Sequence, residues 1–229
     1  MLRSAPIRGL AAGLALPLVL LASGCSSLLG EKDDSSKDSS PSAEAEAKPT
    51  VKPAKFAELP SACKTVPAAT VKDLVKKVKK TAGTSVKSAD TSLRGGCVWS
   101  GLDGYSFKYL DVTLQRLESE VSLGTGEKRA EKAFERALKA EESLEGATGM
   151  VTDKLADLGD QATAMSFTQT KSKQKYIHQT VLVRVANVVV TVHYQGAGFA
   201  GTKPPKAADI AKGARTAATA VVKAVESAG

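Results

Sequence analysis

YIHQTVLVRVANVVVTVHYQ, residues 176–195, decides the fold. It holds two runs of β-branched residues separated by Ala186-Asn187, and a two-residue break between alternating runs is the length of a tight hairpin. Val181, Val183 and Val185 line one face of the first run, and Val188, Val190, Val192 and Tyr194 line one face of the second. The intervening positions carry Thr180, Arg184, Thr191 and His193, which predicts an antiparallel pair with one apolar and one relatively wet side.

Working outward, Gly196–Pro205 reads as a loop and Ala207–Glu226 as a helix. Its stripe of Ala207, Ile210/Ala211, Ala214, Ala217/Ala218, Val221/Val222 and Val225 recurs at helical spacing, and its small residues predict close approach to the sheet. Upstream, Leu158-Gly159-Asp160 precedes a strand over Ala162–Thr168, and Glu127–Leu144 reads as a helix turning Phe134, Ala137, Leu138 and Leu144 inward. Cys97-Val98-Trp99 opens a strand, the Gly101–Gly104 stretch turns the chain, and Tyr105–Leu117 continues as a long strand. The inward set of that strand shifts between Tyr109 and Leu110, which predicts a bulge there. A first helix begins at Thr65-Val66-Pro67, keeps Val71, Leu74, Val75 and Val78 on one stripe and ends at Gly83. The order α-β-β-α-β-β-β-α predicts an α+β fold, a mostly antiparallel sheet packed by helices.

The N-terminus reads as an address. Arg3 and Arg8 precede an apolar run, Leu10–Leu21, too short to span a membrane, which leads into Ala22-Ser23-Gly24-Cys25. Residues 1–24 are therefore expected to be a signal peptide. LASGC resembles the bacterial lipobox, with Ala22 where Leu is commoner, and this implies acylation of Cys25. Two or three acyl chains suffice for stable anchoring where one is marginal. The expected location is the extracytoplasmic face of a bacterial cell membrane. Residues 25–55 then read as the lipidated cysteine and a disordered tether, because Ser, Ala, Pro, Lys and acidic residues cannot recover the entropy of ordering. Residues 56–229 are expected to form a single domain.

Three cysteines occur in the chain. With Cys25 assigned to lipid, Cys63 and Cys97 are left in an oxidising setting and are expected to pair. The chain has no Cys-x-x-Cys and only two histidines, His178 and His193, so no metal, cofactor or catalytic residue is expected. The two histidines are possible cross-strand neighbours, and near Asp157 or Asp160 they would make a metal or acid–base pair. No Gly-x-Ser-x-Gly elbow organises a nucleophile, and Gly124-Thr125-Gly126 lacks the Gly-Lys-Ser/Thr ending of a phosphate loop. Gly126, at a helix start, offers at most generic backbone donors to an anion. The net charge is +8, with lysines clustered at 72–80 and 171–175. Few aromatics and an extracytoplasmic location argue against nucleic acid, whereas an anionic cell-wall polymer, phospholipid headgroups or an envelope protein fit the charge.

Three further stretches carry a family likeness: Cys63 after Leu59-Pro60, Cys97-Val98-Trp99-Ser100, and LGDQA (158–162) followed by VRVANVVVTVHYQG (183–196). Over most of Ala57–Glu226 the chain resembles the actinobacterial secreted lipoproteins grouped as a domain of unknown function. The resemblance implies a wall-side domain with paired cysteines. It also implies a distant fold relation to the sandwich of small secreted mycobacterial lipoproteins and receptor-kinase sensor domains. It transfers no catalytic residue. Ala186 stands where such a hairpin turn is expected to have Gly.

The leading functional expectation is a membrane-anchored, non-enzymatic domain that binds a ligand or partner. Its binding surface is placed on the polar sheet side around Arg184, Thr191 and His193, or on the 196–205 loop. The alternatives are an accessory lipoprotein held electrostatically to anionic polymer or lipid and, last, a secreted hydrolase.

Overall fold

The computed structural model describes Thr50–Ala228. The signal segment 1–24, Cys25, the tether as far as residue 49, and Gly229 lie outside the described residues. A 3-10 turn (Ala62–Lys64) and helix α1 (Ala68–Leu74) lead into strands β1 (Thr84–Val86), β2 (Arg94–Asp103) and β3 (Ser106–Arg116). Helix α2 (Gly126–Glu142) is followed by β4 (Ala147–Lys154), β5 (Gln161–Lys171), β6 (Gln174–Val185), β7 (Val188–Gly198) and helix α3 (Ala207–Glu226). The strands form one seven-stranded antiparallel sheet in the order β1-β2-β3-β7-β6-β5-β4. This is the α+β fold expected, with two edge strands added to the predicted order.

The β6–β7 hairpin pairs Val185 with Val188 across Ala186-Asn187. Its valine faces belong to the principal core, where they meet Ile210, Ala214, Ala217, Ala218 and Val221 of α3. The small side chains let α3 approach closely: a Cβ on Gly213 would lie 2.5 Å from the Tyr194 ring. Phe56, Val66, Val71 and Val75 belong to the same core with Trp99 of β2 and Leu110 and Val112 of β3. Cys63 and Cys97 form a disulfide, S–S 2.04 Å. It ties the N-terminal segment to β2, and for a sequence separation of 34 the chain-entropy model gives about 4 kcal/mol of stabilisation.

Ala186 sits at φ +49°, a left-handed conformation that Gly adopts without penalty. The turn is held by its neighbours. Asp160 Oδ2 accepts the Ala186 N–H at 2.6 Å. Asn187, with no exposure, accepts the Phe56 N–H (2.9 Å) and donates to the carbonyls of Phe56 and Leu117 (2.9 Å each).

The opposite face of the sheet is covered only in part. There α2 places Ala130, Ala133 and Phe134 on Met165 (β5), Leu182 (β6) and Val189 (β7). Among the described residues no helix is long and apolar enough to cross a membrane.

Several local expectations are corrected. The first helix does not run to Gly83; it stops at Leu74, and Val78 instead bridges to Gly101 of β2. Gly101 permits this, since a Cβ there would stand 2.3 Å from the Lys76 carbonyl oxygen. No bulge interrupts β3: its pairing with β2 and β7 is continuous through Tyr109 and Leu110. Phe107 and Tyr109 lie on the other face from Leu110, Val112 and Leu114, so the apparent shift came from counting aromatics as core. The irregularity is in β4, between Thr148 and Val151. Leu144 falls beyond the end of α2 and is exposed.

Candidate functional site

Strand alternation and register define the partly covered face. Across the central strands it presents Asp111 opposite His193, Thr113 opposite Thr191, and Tyr109 opposite Gln195. On the β6 side, Thr180 stands opposite His193 and His178 opposite Gln195. Because α2 lies over β5–β7 and not over β1–β3, the groups from β3 and β7 stay accessible on one flank.

His193 is the hub. Its Nε2 lies 2.9 Å from Glu141 Oε1, in the last turn of α2. The other carboxylate oxygen, Glu141 Oε2, accepts the Thr180 hydroxyl at 3.0 Å. Burial disfavours the charged imidazole, but the hydrogen bond and charge of Glu141, with Asp111 behind them, outweigh it and raise the His193 pKa above the ordinary 6.5. Burial likewise opposes the Glu141 carboxylate, and His193 and Thr180 together hold its pKa below the usual value. On the far side of His193, Asp111 accepts hydroxyl donors from Tyr109 and Thr113, both at 3.3 Å. Burial and the Asp111 carboxylate push the Tyr109 phenol up to about 12, so it remains a donor at neutral pH.

His178 behaves differently. Its ring stacks on Phe167, centroids 4.7 Å apart and planes 7° from parallel. Its Nε2 is out of water and has no hydrogen-bond partner. Burial, reinforced by the positive charges of Lys171 and His193, brings its pKa down to about 4. Phe107, Tyr176 and Phe199 form an aromatic cluster beside it, with Tyr176 6.2 Å from His178. Phe199 is the contribution of the 196–205 loop to this face.

At the β1–β3 end the face opens into a groove of about 610 Å3. Val86, Gly96, Thr113 and Gln115 form its floor, and the 87–93 and 117–120 segments form its walls. Val86 lies close over Gly96, where an added Cβ would stand 3.1 Å from its own. Two arginines brace the walls. Arg116 donates to Ser92 O (3.1 Å) and Glu118 Oε1 (2.9 Å). Arg129 of α2 donates to Glu118 O at 2.7 Å and pairs with Glu120. Arg94, exposed at the rim, has no ion-pair partner among the described residues.

Of the expected surface, Thr191 and His193 fall on this site together. Arg184 shares their face but lies at its other end, opposite Val189 and beyond Leu182, which packs against α2. There it pairs with Asp160 Oδ2 at 3.2 Å. The histidines are neighbours but not direct cross-strand partners, and Asp160 is engaged by Arg184 and Ala186, away from both. The Gly126 N–H is already donated to Ser119 Oγ, at 2.9 Å. Among the described residues no group of three or more His, Cys, Asp or Glu is arranged to hold a metal ion.

Sequence reasoning missed Glu141, Asp111, Tyr109 and the groove. The alternation Tyr109, Asp111, Thr113, Gln115 against Leu110, Val112, Leu114 was a usable signal for a second wet strand. Glu141 had none, being one of several glutamates on α2. Comparison with protein-family models, with curated proteins and with solved structures finds no match to this chain.

Proposed function

We propose that this chain is a lipoprotein held by acyl groups on Cys25 to the outer face of a bacterial cell membrane, and that its folded part is a non-enzymatic binding domain. The ligand seats on the open half of the sheet face, along Asp111, Thr191, His193 and Gln195 and into the adjoining groove. One observation carries this reading. The central strands β3 and β7 are fully covered on one side by α3 and the N-terminal segment. On the other they expose a row of hydrogen-bonding side chains next to a groove of about 610 Å3. Concave surfaces with a few fixed polar groups are where ligands bind. Asp111, Glu141 and the hydroxyl oxygens of Tyr109 and Thr113, whose O–H groups are already donated to Asp111, supply acceptors, while the Nδ1 side of protonated His193 and the Gln195 amide supply donors.

Binding is favoured over hydrolysis by the contacts of the histidines. His193 meets a carboxylate and His178 meets a phenyl ring, whereas a nucleophilic mechanism needs a hydroxyl or thiol hydrogen-bonded to its base. The accessory-lipoprotein reading is favoured by a separate observation, the segregated lysines of residues 72–80.

The test is mass spectrometry of the processed protein secreted by a related bacterium, under native and then denaturing conditions. Extra mass present only under native conditions, and absent from a Thr191→Trp variant that fills the open face, is the expected result. A native mass equal to the denatured mass in both proteins would contradict a bound small molecule.

A further inference from the structure

We propose that the side of the domain formed by α3 and residues 72–80 is a docking face for an anionic phospholipid bilayer. The identity of the partner rests on the reading of Cys25 as a lipid anchor, whereas the charge distribution does not.

Lys72–Lys80 holds five lysines and one acid, Asp73, all exposed. Among the described residues Asp73 pairs only with Lys76, at 3.3 Å. This segment lies on the same side of the sheet as α3: Leu74 lies against Gly213, and its carbonyl accepts the Tyr194 hydroxyl. Taken together, residues 72–80 and 206–226 carry nine basic and three acidic residues, every one of them exposed. Helix α2, on the other side of the sheet, carries five of each. A surface charged only for solubility mixes its signs, as α2 does. The two helical layers therefore differ, the one formed by α3 and residues 72–80 being strongly positive and α2 balanced.

The positive side is also rigid at its lysine-rich end. Val71 and Val75 are fully buried, and Lys79 N–H donates to Ser100 O at 3.1 Å. Gly83 N–H closes on Lys80 O at 2.9 Å, and Trp99 Nε1 donates to Thr81 O at 3.0 Å. Only lysine side chains remain to be ordered on binding, which lowers the entropy cost of association. The charges are mainly compact ammonium groups spread over two elements. That suits the mobile headgroups of a bilayer, which attract surface lysines additively. Docked this way, the domain turns the open half-face of the sheet, with His193 and the groove, away from the lipid.

The experiment uses residues 25–229 with Cys25→Ser, produced without the signal segment so that acyl chains do not carry the binding, and vesicles of phosphatidylglycerol with phosphatidylcholine at ~0.15 M salt, where the Debye length is about 8 Å. The expected result is co-sedimentation with these vesicles and none with pure phosphatidylcholine. Changing Lys72, Lys76, Lys77, Lys79 and Lys80 to Gln should weaken partitioning at least tenfold without altering Tm, while changing Lys128, Lys132 and Lys139 of α2 to Gln should leave it within twofold. Equal binding of the first variant and wild type, or no binding of wild type to anionic vesicles, overturns the proposal. Retention on polyphosphate but not on vesicles also overturns it, in favour of a linear polyanion. The anchor is tested independently by the mass of the native N-terminus: unmodified Cys25 with vesicle binding intact sinks the anchor and leaves the docking face standing.

Discussion

Replacing His178 by Phe removes a group that the folded domain resists protonating. Its Nε2 is sealed from water without a partner, its ring lies flat on Phe167, and its pKa is lowered to about 4 against an ordinary 6.5. A histidine depressed in the folded state binds protons preferentially in the unfolded chain, so stability falls as pH drops from about 6.5 towards 4. With those two values the linkage relation gives at most about 2 kcal/mol of loss between pH 7 and pH 5, and solvent screening of the half-buried ring brings it to about 1 kcal/mol, or about 2–4 °C in Tm for a chain of this size. The assay is urea denaturation of wild type and His178→Phe at both pH values, followed by circular dichroism. The phenyl ring keeps the stack on Phe167 and cannot titrate, so the variant should lose about 1 kcal/mol less than wild type on acidification. Equal losses would show that the imidazole already exchanges protons freely in the folded state, and the sealed environment described for it would be wrong.

Asn187→Ala deletes three hydrogen bonds and leaves the Phe56 N–H and C=O and the Leu117 C=O without those partners. At ~1–3 kcal/mol per stranded buried group the expected cost is at least about 3 kcal/mol, and a change below about 1 kcal/mol in urea denaturation would contradict the role given to it. Reducing the Cys63–Cys97 bond, or changing both residues to Ser, should cost about 4 kcal/mol in the chain-entropy model; two reactive thiols in the denatured, unreduced protein would show that the bond does not form. The raised pKa of His193 makes its contribution complete below pH 6.5 and lost as pH rises through the raised value, while the lowered pKa of Glu141 makes its contribution one that disappears in acid. Glu141→Gln should therefore flatten the fall in Tm between pH 6 and pH 8. Because the His193 side chain is 40% exposed, solvent screening keeps this below about 1 kcal/mol; identical profiles would exclude the pair as a stabilising contact.

The strongly patterned elements were legible and the irregular ones were not. The β6–β7 hairpin turns at Ala186-Asn187 and α3 spans Ala207–Glu226, both as their valine alternation and alanine stripe require. β1 is three exposed residues long, and β4 carries Gly149 at φ +65° and hardly any buried residue, so neither has an apolar period to detect. Helix α1 was overextended because Val71, Leu74, Val75 and Val78 keep helical spacing. The reason it stops is a contact of Val78 with Gly101 that no local pattern records. In the site, alternation placed Thr191 and His193 on the polar face, but it also placed Arg184 there without revealing that Asp160 occupies it. The hub depends on α2 crossing the sheet so that Glu141 reaches His193, a tertiary event 52 residues apart in the chain.

The central claim, that the open half of the sheet face is where this domain meets its ligand, is tested most directly by photo-crosslinking in intact cells. A photoreactive phenylalanine analogue is placed at Gln195, on the open face, and in a second strain at Lys139, on the exposed side of α2. Capture of the same molecule in repeated experiments from position 195 and not from 139 is the predicted result. Equal capture from both positions, or capture from 139 alone, would contradict it.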